Sequence, residues 1–186
     1  MEKYFGVCYY PELYPKEKQE AFIREDIENM RRARFNVVRM AEFCWCLMEP
    51  REGVYDFDWL EEIVDRLGQN GIYTVLCTPT ACQPVWMARR YPETLYVDNL
   101  GVQRSYGGRH YHCYNSPIFR DLTEKICLEM SRRFGRNPYV LGFQVDNEMG
   151  QEHSDRCQCP VCRRKFKEAM KEKFHGDIGA LNEAFG

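Results

Sequence analysis

Two groups of residues have types and spacing that can do chemistry. Val145-Asp146-Asn147-Glu148 ends an apolar run with an amide next to a carboxylate. Glycoside hydrolysis needs a carboxylic acid to protonate the leaving oxygen and a second carboxylate opposite it, and an amide beside the acid can hydrogen-bond a sugar hydroxyl. Taken alone, the pair reads equally as a helix cap followed by a solvated Glu. The second group is Cys157-x-Cys159-x-x-Cys162, three thiols within six residues. Zinc takes four ligands in a tetrahedron, and a closed all-thiolate set is structural. Reduced thiols without metal are the other reading. Cys113 lies 44 residues before Cys157, between His112 and Tyr114, and spacing alone does not make it the fourth ligand.

The elements that must position these groups alternate. Tyr4–Tyr9, Phe35–Met40, Ile72–Cys77 and Tyr139–Val145 are short, apolar and rich in β-branched or aromatic residues, and read as strands. Between them, Pro15–Ala33 places Ile23, Ile27 and Met30 on one helical face, and Asp58–Gln69 does the same with Leu60, Ile63, Val64 and Leu67. Pro117–Phe134 is opened by Ser116 as cap and Pro117 at the first position, with Leu122, Ile126 and Met130 on its apolar face. A last helix, Val161–Phe174, is expected to turn Phe166, Ala169, Met170 and Phe174 inward.

This order predicts a parallel α/β fold. No Gly-rich phosphate loop follows the first strand, which disfavours a dinucleotide fold. In a barrel, chemistry sits at the carboxyl ends of the strands, which here carry Tyr9, Tyr10 and Glu12, then Arg39 and Glu42, Thr78 and Thr80, and Asp146, Asn147 and Glu148. Four strands in 186 residues make half a barrel, since a complete one takes about 250 residues. The expectation is a truncated protein or an incomplete gene model.

Lys and Arg number 26 against 28 Asp and Glu, a net charge of −2, so there is no electrostatic case for nucleic acid or for a polybasic membrane anchor. No apolar run is long enough to span a membrane, and Met1–Val7 has no signal-peptide architecture. A soluble, cytoplasmic protein is expected. In that compartment ten cysteines point to metal or reduced core thiols rather than disulfides. Cys8, Cys44, Cys46, Cys77, Cys82 and Cys127 are expected to be small core or site-wall residues.

The chain resembles the N-terminal part of the glycoside hydrolase family 42 β-galactosidases. The matching segments run in order from end to end: Tyr9-Tyr10-Pro11-Glu12, Ala41-Glu42-Phe43 with Trp45, Glu49-Pro50, Tyr55-Asp56-Phe57, Thr78-Pro79-Thr80-Ala81, Pro84-Val85-Trp86, Gly107-Gly108-Arg109-His110, Asn115-Ser116-Pro117, and Gln144 through Gly150. The resemblance implies that residues 1–186 are a partial (β/α)8 TIM-barrel catalytic domain with a four-cysteine zinc insertion after strand four. The implied reaction is retaining hydrolysis of terminal non-reducing β-D-galactosyl residues. Glu148 matches the acid/base, Asn147 and Arg109 match sugar-binding residues, and the family's nucleophile, a Glu after strand seven, has no counterpart here. Retaining chemistry needs two carboxylates about 5 Å apart, so the segment by itself is expected to be inactive. Glu42 matches a family Glu that is not the nucleophile, and with Arg39 is expected to buttress the site floor as a charge pair.

The resemblance also supplies Cys113 as fourth ligand beside Cys157, Cys159 and Cys162, for a structural Zn2+ that pins the loop after Glu148 to the loop carrying Arg109. It implies a trimeric parent. His110, His112 and His153 flank the cysteines as competing ligands, with Glu152 standing where zinc-bearing relatives place a His. Cys44-x-Cys46 departs from the family and is expected to pack in the wall. Trp45, Trp86, Tyr9 and Tyr10 have the rings to stack on sugars, but such residues are more often core. The alternatives are a related clan glycosidase of other sugar preference, such as an α-L-arabinopyranosidase or β-fucosidase, and an inactive zinc-stabilised fragment or interaction module.

Overall fold

The computed structural model describes residues 3–149 and 156–186. Four short strands, β1 (Gly6–Cys8), β2 (Val37–Met40), β3 (Tyr73–Cys77) and β4 (Val140–Gln144), form one sheet in the order β1-β2-β3-β4. Every pairing is parallel. Sequential order without reversal is the arrangement of a barrel wall; a doubly wound sheet reverses its order at a switch point. The strands fall inside the four segments read from the sequence, each trimmed by a residue or more.

The crossovers are helical. Helix α1 (Lys16–Arg32) buries Ile23, Ile27 and Met30, and α3 (Asp58–Gln69) buries Leu60, Ile63, Val64 and Leu67, the faces their periodicity predicts. Helix α5 (Pro117–Phe134) buries Phe119, Leu122, Ile126, Met130 and Phe134. Its Ser116 Oγ accepts from the Phe119 backbone N–H, and Pro117 starts it where a missing donor costs nothing. These helix faces meet Val38 and Met40 of β2 and Leu76 of β3 in one core. Two shorter helices, α2 (Trp45–Met48) and α4 (Val85–Arg90), follow β2 and β3. At four and six residues they are too short to carry a period, and the sequence reading has no place for them.

Trp45 is fully buried, with its indole N–H donating to Glu49 Oε2 at 2.7 Å. It is core, as are Tyr9, whose hydroxyl donates to Asp26, and the buried Cys44 and Cys77. Cys8 and Cys46 are exposed and so are not core, and the Cys8 sulfur lies against Arg39.

Helix α6 (Pro160–Lys173) requires a correction. It has no buried residue, and Phe166 is 60 % exposed. Its apolar stripe instead borders a 300 Å³ groove shared with α7 (Ile178–Phe185), where Met170 and Phe174 face Ile178 and Leu181. The sequence shows a helix's apolar face, not whether another element covers it. Among the described residues no helix is long and apolar enough to cross a membrane.

Candidate active site

Sheet register builds the site. Cys8 pairs with Arg39, and Cys77 with Gln144. Side chains alternate along a strand, and partners in adjacent strands share a face, so these four residues project to one side of the sheet. Arg39 is their hub. Its Nε and Nη2 lie 3.3 and 3.1 Å from Cys8 Sγ, and its Nη1 lies 3.9 Å from Cys77 Sγ. Nη1 also donates at 3.0 Å to both Gln144 Oε1 and Asn147 Oδ1, while Nη2 donates to Glu42 Oε1 at 2.7 Å. The Arg39–Glu42 charge pair expected from the sequence is therefore present, and its carboxylate is fully buried. The same Glu42 oxygen accepts from the Tyr10 hydroxyl at 2.7 Å.

Burial and charge set the protonation of three groups in this floor. Burial opposes the Arg39 charge, but the Cys8 contact and the Glu42 carboxylate outweigh it and hold the guanidinium protonated. Burial, then Glu42, pushes the Cys77 thiol up to about 12. Burial and the hydrogen bond to Glu42 raise Tyr10 as well. At neutral pH the floor therefore holds the Arg39 cation beside two neutral donors, Cys77 and Tyr10.

The turn after β4 presents Asn147 and Glu148. Asp146 and Glu148 both have left-handed backbone, at φ 57° and 49°, which costs energy at residues other than glycine. Side chains hold the turn there. The Asp146 N–H donates to Thr78 Oγ1 at 2.8 Å, the Asn147 N–H to Asp146 Oδ1 at 2.7 Å, and Gln144 Nε2 to the Asp146 carbonyl at 2.8 Å. Asn147 is buried, while Glu148 projects outward, 70 % exposed. Arg109 Nη1 lies 3.5 Å from Glu148 Oε2, and its guanidinium sits over the Phe43 ring, 4.5 Å from the centroid. Glu148, Asn147 and Arg109 thus come together from two distant segments. Arg39, Tyr10, Gln144 and Phe43 join them, and the sequence reading gave none of the last three a role at the site. The signal for Arg39 and Tyr10 was their strand-end position; Phe43 and Gln144 stood only within segments that match the family.

The four cysteines also meet. The Sγ atoms of Cys113, Cys157, Cys159 and Cys162 all lie within 4.8 Å of one another, with Cys113 3.5 Å from Cys159 and 3.3 Å from Cys162. A tetrahedron of sulfurs at ~2.3 Å from a zinc ion has edges of about 3.8 Å, so the set has the size of a thiolate-bound metal. Asn115 Nδ2 and the Cys162 N–H point at Cys162 Sγ and Cys159 Sγ, both at 3.4 Å, contacts suited to thiolates. The hydrogen bond from Cys113 lowers Cys157 to about 5 and correspondingly raises Cys113. His110 and His112 do not join the group. The first bonds to the Tyr114 hydroxyl, and the second stacks on Phe119 at 4.0 Å. Burial, then His110, holds His112 neutral by lowering it to about 3. His153 and Glu152 lie outside the described residues.

A family model described as beta-galactosidase, that of glycoside hydrolase family 42, matches residues 8–186. The chain belongs to glycoside hydrolase family 42. A curated β-galactosidase of Thermus thermophilus is 43 % identical over 97 % of this chain and 27 % of its own length. Another, from Halorubrum lacusprofundi, is 40 % identical over 97 % of the chain and 25 % of its own length. Among solved structures, a catalytic mutant of a family 42 β-galactosidase from G. stearothermophilus superposes with a TM-score of 0.89 at 34 % identity, covering 96 % of this chain and 25 % of that one. The H. lacusprofundi β-galactosidase gives 0.88 at 38 %, covering 99 % and 27 %. The chain spans about a quarter of the length of the family 42 relatives it matches.

Proposed function

We propose that these residues form the first four strands of a retaining β-galactosidase acting on terminal β-D-galactosyl groups, and that Glu148 is its acid/base. The observation that carries this is the meeting of Glu148 with Arg109 at 3.5 Å beside an Asn147 fastened to Arg39, in a chain of this family. Glu148 protonates the glycosidic oxygen as it leaves, then takes a proton from the incoming water. Its exposure leaves room for the leaving group and the water. Arg109 and Asn147 hold sugar hydroxyls, and Arg39 keeps the Asn147 carbonyl oxygen turned inward, so that its amide N–H faces ligand. The nucleophile must be a second carboxylate opposite Glu148. Glu42 is not it, because Oε1 is already shared by Arg39 and Tyr10 in a fully buried position.

The four cysteines would hold a structural Zn2+, whose chemistry is to cross-link two loops without an open coordination position. We assign it no part in catalysis. By the same resemblance the parent is a homotrimer.

The test is turnover of an aryl β-D-galactoside by the protein that carries residues 1–186 together with the remaining barrel strands. Glu148→Gln should lower kcat by about 10²–10⁴, most severely for substrates with poor leaving groups. The 186 residues expressed alone should give none. Unchanged turnover in Glu148→Gln, or measurable turnover by the 186 residues alone, overturns the assignment.

A further inference from the structure

Phe43 has no hydrogen-bonding group, yet it stands between the two charged arms of the site. The Arg109 guanidinium carbon lies 4.5 Å from its ring centre. The same ring stacks on Tyr10, with centroids 6.3 Å apart and planes 17° from parallel. Tyr10 bonds to Glu42, Glu42 to Arg39, and Arg39 to Asn147. Arg109 completes the other side through Glu148. These contacts close a ring, Glu148–Arg109–Phe43–Tyr10–Glu42–Arg39–Asn147, whose last link is the peptide bond between Asn147 and Glu148. Phe43 is the one member held by neither charge nor hydrogen bond.

We propose that Phe43 is the positioning residue for Arg109, setting by cation–π contact where the guanidinium meets a sugar hydroxyl. The proposal rests on the reading of Arg109 as a sugar-binding residue. An ion pair between two exposed side chains is screened and fixes geometry poorly, and Arg109 and Glu148 are 43 % and 70 % exposed. The ring face adds a contact that favours one rotamer of a long, flexible side chain, since guanidinium planes prefer to lie over aromatic faces. Tyr10 beneath the ring anchors that platform to the buried Arg39–Glu42 pair, so the orientation of Arg109 is tied to the same floor that orients Asn147.

Two readouts test this, both on the protein that carries residues 1–186 together with the remaining barrel strands. In ¹⁵N spectra, the Arg109 Nε–Hε resonance, assigned by its loss in Arg109→Lys, should be shifted upfield by the ring current of Phe43. It should stay shifted in Phe43→Tyr, which keeps the aromatic face, and move to a solvent-like position in Phe43→Leu, which keeps only the apolar bulk. In titrations with D-galactose, Phe43→Leu should raise Kd by about fivefold, with Phe43→Tyr near wild type. The Phe43→Leu change should add nothing on an Arg109→Ala background. An unshifted Arg109 resonance in the wild-type chain overturns the proposal without any variant. So does a Phe43→Leu effect that persists in full without Arg109, which would mark Phe43 as plain packing. If wild type does not bind galactose, the sugar-site reading fails, and the Arg109 resonance still decides the contact.

Discussion

Glu12 and Glu42 lie at the ends of neighbouring strands, and their partners set their behaviour apart. Glu42 is buried with a cation and a phenol on one oxygen. Glu12 has one buried carboxylate oxygen, Oε2, without a hydrogen-bond partner. Burial raises it above the ordinary carboxylate value of 4.5, with the nearby Glu42 adding to the rise and its own backbone N–H and the Cys44 thiol opposing. A carboxyl raised on folding gives stability that is full below its unfolded value and is lost as pH climbs through the folded one. Glu12→Gln should therefore leave Tm close to wild type near pH 4 and raise it relative to wild type at pH 7–8. Thermal melts of both proteins across that range check this, and a Tm difference that does not change with pH would contradict it. The ionisable groups that sequence brought forward, Glu148, Asn147's neighbours and the cysteines, were visible because they cluster in the chain. Arg39's role as hub was only partly legible, because its contacts to Gln144 and Asn147 join residues 105 and 108 positions apart and exist only once the register of four strands is fixed.

At the scale of elements, the close approach of β1 to β2 depends on one glycine. A Cβ on Gly6 would stand 1.6 Å from the Val37 carbonyl oxygen, a backbone atom that cannot turn aside. Gly6 pairs with Val37 in the same register that places Cys8 beside Arg39. Gly6→Ala should thus destabilise the fold by on the order of 1–3 kcal/mol, as overpacking does, and loosen Cys8 from Arg39. Chemical denaturation measures the first effect, and faster alkylation of Cys8 by iodoacetamide reads the second. An unchanged midpoint would mean that β1 is free to shift. The sequence marked Gly6 as lying inside a strand but gave no reason for it. The helices were the most legible elements, since α1, α3 and α5 each bury the face their period selects. Helix α6 has an equally clear stripe and buries none of it. Periodicity reports a face's chemistry, whereas its burial depends on what else the fold brings to it.

For the whole molecule, the largest irregular region is the stretch between α4 and α5. Antiparallel bridges join Leu95 to His112 and Val97 to Gln103. The Gln158 N–H donates to the Val97 carbonyl at 2.8 Å, and the Tyr96 hydroxyl donates to the Arg156 carbonyl at 3.3 Å. The cysteine cluster adds a further fastening, joining Cys113 to the segment that opens α6. Arg109 lies in that stretch, four residues before Cys113, so the proposed metal acts on the sugar site only by holding its loop. A metal that binds the native state and not the unfolded chain adds its binding free energy to stability. Stripping it should lower Tm reversibly, with zinc but not magnesium restoring it, and Cys113→Ser should mimic the stripped state. Because the buried core shared by the helices and the sheet does not include these cysteines, far-UV circular dichroism should change little below the melt. Hydrogen exchange should speed up at the amides of Tyr96, Cys113 and Gln158, while those of β2 and β3 keep their protection. A purified chain that retains no zinc after saturation and dialysis, with the same Tm as Cys113→Ser, would reduce the cluster to four packed thiols. A global rather than local loss of protection would mean instead that the loop and barrel wall fold as one unit.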